Sequence, residues 1–294
     1  MTLPDGPLIA APWLVAHRAE VIVLDASVGR VDRPGGATAF VSGRDVFTAE
    51  HIPGAHLADL FGAFSDPDAP FAFTRPHIAA LEREARRLGI RNDSDVVVYD
   101  RLGGAYAARI WVLFRVCGFD RVRVLNGGLA AWVHAGGIVE TGPEVSASPG
   151  DFTARPAPSI FVSTEEVVEL IASGDTSRSP LVCGLRKVQF TAEGSNDPRL
   201  GHIPGSLNLP YADLLDGMGR LDFARLNSAL EDLQLGPELG RQITPVLYCG
   251  GGINAAGLAL ALAATGRPSF RIYDDSMNGW TADPSRPVHR GQER

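Results

Sequence analysis

Cys249 is the residue of this chain best suited to covalent chemistry. It stands in Pro245-Val-Leu-Tyr-Cys-Gly-Gly-Gly-Ile-Asn254, where a short apolar β-like run ends on a thiol, passes three glycines and enters an alanine-rich helical stretch. Glycines let main-chain N–H groups turn toward one point without Cβ clashes, and a helix N-terminus adds partial positive charge. An anion at the sulfur would be stabilised from several directions, as a nucleophilic cysteine requires. The competing reading is an inert, buried cysteine at a strand end. It leaves the glycines unexplained, because three in a row carry a backbone entropy cost with no packing return. Asn254 is expected to cap the following helix through its side-chain oxygen.

The elements that position this loop are written twice. His51-Ile-Pro-Gly-Ala55 recurs as His202-Ile-Pro-Gly-Ser206, and Val96-Val-Val-Tyr-Asp100 recurs as Pro245-Val-Leu-Tyr-Cys249. Asp100 and Cys249 lie 49 and 47 residues beyond the two histidines, and Trp132 and Trp280 follow them by 32 and 31. Such spacing implies two homologous domains. Each half reads as alternating strands and helices, so the expected fold class is α/β, two tandem domains with a mostly parallel sheet flanked by helices. In the first half the strands are expected at 21–25, 96–100 and 122–125, with helices at 74–88 and 105–117. In the second, 162–172, 180–183, 225–233, 245–248, 255–264 and 270–273 repeat the pattern. The stretch 140–158, with Pro143, Pro149, Pro156 and Pro158, reads as a linker between domains 1–139 and 159–294.

Bulk composition removes several function classes. With 294 residues, 45% hydrophobic and 21% charged, the chain has ample core-forming material. A net charge of −7 with scattered basic residues argues against a nucleic-acid partner, so an anionic substrate needs a local cationic pocket. No apolar run approaches the roughly 20 residues that span a bilayer, and the apolar segment 7–16 lacks a basic flank, so neither a membrane partner nor a signal peptide is expected. Three cysteines far apart in sequence do not make a disulfide framework, which suits a cytoplasmic location. No metal site is read, because no Cys-x-x-Cys pair or zinc-type histidine spacing occurs.

Together the paired His-Ile-Pro-Gly motifs, the Val-Tyr-Asp100 and Leu-Tyr-Cys249 strand ends and the two trailing tryptophans resemble the tandem-domain rhodanese sulfurtransferases, over about residues 14–288. The resemblance implies an N-terminal repeat without the cysteine and a catalytic loop of a cysteine plus five residues, here Cys249 to Asn254; related phosphatases on the same fold have a loop one residue longer. It implies that the Cys249 thiolate takes sulfane sulfur from a small anionic donor, mercaptopyruvate-like or thiosulfate, and passes it as a persulfide to a thiol, cyanide or a protein sulfur acceptor. The main-chain N–H groups of Gly250, Gly251, Gly252, Ile253 and Asn254 would stabilise that sulfur, and no cofactor is required. The uncharged loop resembles the Cys-Gly-x-Gly-Val-Thr of mercaptopyruvate-preferring members more than the cationic loop of thiosulfate-preferring ones. A doubly charged donor also needs more local positive charge than a monocarboxylate.

The chain departs from that pattern in places. Cys183-Gly-Leu185 and Val188-Gln-Phe190 replace the Asp-Ala-Arg and Gly-Arg-Phe usual in the family, which puts Gln189 at the donor-binding arginine. Arg186 or Lys187 could substitute, and Arg199 falls near a second carboxylate-binding arginine of the mercaptopyruvate enzymes. Gly251 stands where those enzymes carry a serine, and 60–73 holds no matching histidine, so their proton relay is absent. Tyr273-Asp-Asp-Ser-Met-Asn278 replaces the expected Gly-Ser-Trp run. His51 and His202 read as holders of loop backbone, Cys183 and Cys117 as core, and Asp100 as a group paired with Arg101 or Arg109.

Two rival readings compete. Gly250-x-Gly252-x-x-Ala255, with Asp274 22 residues past Gly252, has the spacing of a dinucleotide-binding fingerprint, but it lies late in its domain instead of opening it. The other rival is a non-turnover sulfur carrier or rhodanese-like binding module, motivated by Gln189 and Gly251.

Overall fold

A computed structural model describes residues 3–32, 38–156, 160–174, 176–197, 199–235 and 243–292. The chain divides into two compact units, Met1–Pro158 with Gly217–Arg220, and Ser159–Asp216 with Leu221–Arg294.

The first unit contains β1 (Leu8–Ile9), α1 (Ala11–His17), β2 (Ile22–Asp25), the hairpin β3 (Gly29–Asp32) and β4 (Thr38–Val41), α2 (Arg44–Ala49), β5 (His56–Leu57), α3 (Ile78–Arg87), β6 (Val96–Tyr99), α4 (Ala105–Val116), β7 (Val122–Leu125) and α5 (Gly128–His134). Its five-stranded sheet has the order β1-β7-β6-β2-β5, parallel throughout. Strand β6 lies at its centre with all four residues buried, which is why Val96-Val-Val-Tyr99 is apolar without alternation.

The second unit repeats the plan with β8 (Phe161–Val162), α6 (Thr164–Ala172), β9 (Leu181–Cys183), α7 (Lys187–Thr191), β10 (Leu207–Asn208), α8 (Phe223–Asp232), β11 (Val246–Tyr248), α9 (Ile253–Ala264), β12 (Arg271–Tyr273) and α10 (Ser276–Trp280). Its sheet order, β10-β9-β11-β12-β8, is the same sequence of equivalents, again parallel. Helix α9 is buried on nearly every face, so its run of Ala and Leu reflects a helix packed within its unit, far too short to cross a bilayer. Among the described residues no helix is long and apolar enough to cross a membrane.

The duplication extends to single hydrogen bonds. The Tyr99 hydroxyl accepts the Ile52 N–H and the Tyr248 hydroxyl accepts the Ile203 N–H, each at 3.1 Å, which ties each His-Ile-Pro-Gly turn to its central strand. The Trp132 indole donates to the Ile138 carbonyl (2.7 Å) and the Trp280 indole to that of Pro287 (2.8 Å).

Two expectations need correction. The segment read as a linker packs along the first unit as a strap: Gly142, Gly150, Phe152 and Arg155 donate main-chain N–H bonds to Thr48, Arg86, Ile90 and Cys117, and Phe152 is buried between Phe114 and Phe119. Its prolines oppose helix and strand, yet the residues between them find acceptors. The apolar N-terminal stretch supplies β1 and α1, for which the sequence reading assigned no element; Pro12 sits in the first turn, where a missing N–H costs nothing. The helix expected over 74–88 begins only at Ile78, after Pro76 and an extended His77.

Candidate active site

Strands β9, β11 and β12 lie side by side in register, Tyr248 opposite Cys183 and Leu247 opposite Val182 and Ile272. Their carboxyl ends therefore converge, as open parallel sheets arrange their ligand sites. Cys249 is the residue after β11 and is 3% exposed. Gly252 ends the loop at φ +84°, a left-handed conformation that favours glycine, and serves as the N-cap of α9 without a side-chain bond.

Both neighbouring strand ends hold this loop through its carbonyls. The Gly184 N–H donates to the Tyr248 carbonyl at 2.8 Å, and the Met277 and Asn278 N–H groups donate to the Cys249 and Gly250 carbonyls, each at 3.0 Å. The Cys249 N–H donates to Ser276 Oγ (3.1 Å), which itself donates to the Tyr273 carbonyl (2.9 Å). With those carbonyls engaged outward, the N–H groups of Gly250, Gly251 and Gly252 have no protein acceptor among the described residues. Uncommitted N–H groups beside the open end of a 12-residue helix suit an anion.

Ser276 is fully buried with φ +52°, an unfavourable conformation for a side-chain-bearing residue. Gly128 holds the matching place in the first unit at φ +55°, so the second unit accepts strain to gain a hydroxyl against Cys249. Sequence reading missed Ser276; its position 27 residues after Cys249 was the one available signal.

A family model described as "Rhodanese-like domain" matches residues 17–135 and 192–283. The chain belongs to the rhodanese family. Among its relatives, a Pseudomonas aeruginosa protein named "Probable 3-mercaptopyruvate sulfurtransferase" is 35% identical over 98% of this chain and 100% of its own length. The 3-mercaptopyruvate sulfurtransferase of Escherichia coli is 30% identical over 95% of this chain and 96% of its own. The crystal structure of SseA from Escherichia coli, a 3-mercaptopyruvate sulfotransferase, superposes with a TM-score of 0.75 at 27% identity, covering 92% of this chain and 99% of that one. A mouse thiosulfate sulfurtransferase is 32% identical over 85% of this chain and 84% of its own.

In the segment after β11, Asn254 is not the helix cap. It is the second residue of α9, and its side-chain N–H donates to the Gly184 carbonyl (3.3 Å) because Gly252 has already turned the chain. Leu185 approaches Gly250, with a methyl 3.8 Å from where a Cβ there would stand. Arg186, Lys187 and Gln189 follow directly: Arg186 is the exposed N-cap of α7, Lys187 its exposed first residue, and Gln189 is half-buried, its carbonyl accepting the Gly201 N–H. Arg199 lies in the next loop, its side chain 75% exposed and held by the Asp197 carboxylate through two bonds of 3.1 and 2.9 Å. Asp197 sits below the usual carboxylate range because Arg199 donates to it.

Cys183 is fully buried, and burial pushes its thiol up to about 12. His51 bonds the Phe47 carbonyl and Glu140, and His202 bonds the Phe190 carbonyl and stacks on that ring. Asp100 is bound by main-chain N–H groups; Arg101 pairs with Glu50 and Arg109 donates to the Phe73 carbonyl. Among the described residues no cluster of His, Cys, Asp or Glu could hold a metal.

Proposed function

We propose that Cys249 carries sulfane sulfur between a small carboxylate donor and a thiol. The chain is an enzyme of the sulfurtransferase class, and a persulfide route is general for its family. Cys249 thiolate attacks the donor sulfur; with 3-mercaptopyruvate, the C–S bond breaks, its electron pair stays on carbon, the thiol proton ends there, and pyruvate leaves. An acceptor thiolate then attacks the outer sulfur, which releases its persulfide and restores Cys249; cyanide would give thiocyanate in the same way. The observation that carries the reading is the set of uncommitted N–H groups of Gly250, Gly251 and Gly252 after a buried thiol at a β-strand end. Together with those of Ile253 and Asn254, they would hold the anionic sulfur before and after transfer.

The loop carries no cation, which favours a monocarboxylate over thiosulfate. Arg199 is the candidate for the donor carboxylate, since an exposed ion pair with Asp197 exchanges readily; Arg186, Lys187 and Gln189 are candidates on the other side of the same segment. Three unbridged cysteines suit a reducing compartment such as the cytoplasm. Steady-state assays with 3-mercaptopyruvate and with thiosulfate, each with a thiol acceptor, test the proposal. Multiple turnovers with the carboxylate donor support it, and a single equivalent of bound sulfur without turnover would favour a carrier.

A further inference from the structure

The first unit has the matching loop, one residue longer, and it is full. Asp100 follows β6 as Cys249 follows β11, and the turn closes on Gly104 at φ +85°, the counterpart of Gly252, one residue later in the loop. The Asp100 carboxylate is 1% exposed. One of its oxygens accepts the N–H groups of Leu102 (2.7 Å) and Gly104 (2.9 Å), and the other accepts that of Ala107 (2.9 Å). Burial outweighs the N–H donors and holds this carboxyl above the usual carboxylate range overall. Every bond found to it is one in which it accepts, so the site is built for the carboxylate; a protonated carboxyl would present an O–H to donors.

Geometrically, a carboxylate oxygen lies two bonds from Cβ, as does the outer sulfur of a cysteine persulfide. We infer that Asp100 acts as an internal anion occupying the first unit's own loop cradle, closing that unit to donors, and that the cradle is an anion site once the carboxylate is removed. The class of ligand is a small monoanion: formate, which restores the missing carboxylate to Asp100→Ala, or a persulfide carried by Asp100→Cys. In the second case a thiolate displaces sulfite from thiosulfate, Cys–S⁻ plus S–SO₃²⁻ giving Cys–S–S⁻ plus SO₃²⁻.

Two measurements on the full chain test this. Asp100→Ala should melt several degrees higher in saturating formate than in chloride of equal ionic strength, with no such difference in the parent; ligand at about 100 times its Kd stabilises by about 2.7 kcal/mol. Equal melting in the two salts overturns the inference. The second arm rests on the persulfide reading of Cys249. In a Cys249→Ser background, Asp100→Cys exposed to thiosulfate should gain one sulfur, about 32 Da, that the Cys249→Ser chain does not. A folded double variant that gains none overturns the persulfide analogy, and loss of transfer chemistry at Cys249 in the parent is read separately.

Discussion

Ser276 offers the sharpest test of how the loop is held. Its hydroxyl accepts the Cys249 N–H and donates to the Tyr273 carbonyl, both inside the protein, while its backbone sits in the left-handed region. Ser276→Ala removes both bonds and keeps the strain. A net hydrogen bond is worth about 1 kcal/mol and an orphaned buried donor costs about 1–3 kcal/mol, so the second unit should lose about 2–3 kcal/mol. Ser276→Gly loses the same bonds but relieves about 1 kcal/mol of conformational strain. At about 2–4 °C per kcal/mol, calorimetry should place the second unit's melting in the order parent, Gly, Ala, with Ala about 5–10 °C below the parent. Sulfur transfer should fall mainly in kcat, because the hydroxyl positions the nucleophile and does not bind the donor carboxylate. A glycine variant that melts below the alanine one, or an alanine variant that matches the parent, would refute this account of the loop.

Arg199→Ala should raise KM for 3-mercaptopyruvate with little change in kcat, and an unchanged KM would remove Arg199 from donor binding. Glu144 in the strap is partly buried, which raises its pKa, but the nearby His56 ring (3.2 Å) and Arg87 guanidinium (3.7 Å) bring it below the usual range overall. A depressed folded pKa stabilises above the unfolded value, so the stability gap between the parent and Glu144→Gln should be full at neutral pH. It should close as pH falls below about 4, as urea midpoints at several pH values would show. Cys249→Ser should melt close to the parent and transfer no sulfur; residual turnover near the parent rate would contradict the nucleophile assignment.

The architecture was legible because the repeat is. Two copies of one motif order, with central strands apolar on both faces, led to two parallel sheets, and the glycines after Cys249 led to the loop. The edge strands β1, β5 and β10 carry two residues each, too few for any periodicity. Asn254 misled because its residue type suits a cap, whereas Gly252 had already made the turn. Asp100 looked like a salt-bridge partner; its main-chain ligands leave no trace in side-chain identity. Ser276 was hidden for the same reason, since a single serine in a turn says nothing of its φ or of the N–H it meets.

Intact-mass spectrometry of the chain after exposure to 3-mercaptopyruvate without an acceptor tests the central claim most directly. One added sulfur, about 32 Da, located on the peptide carrying Cys249 and discharged by a thiol, is the predicted result. Sulfur on Cys117 or Cys183, or catalytic turnover by a chain whose Cys249 never acquires it, would contradict the account.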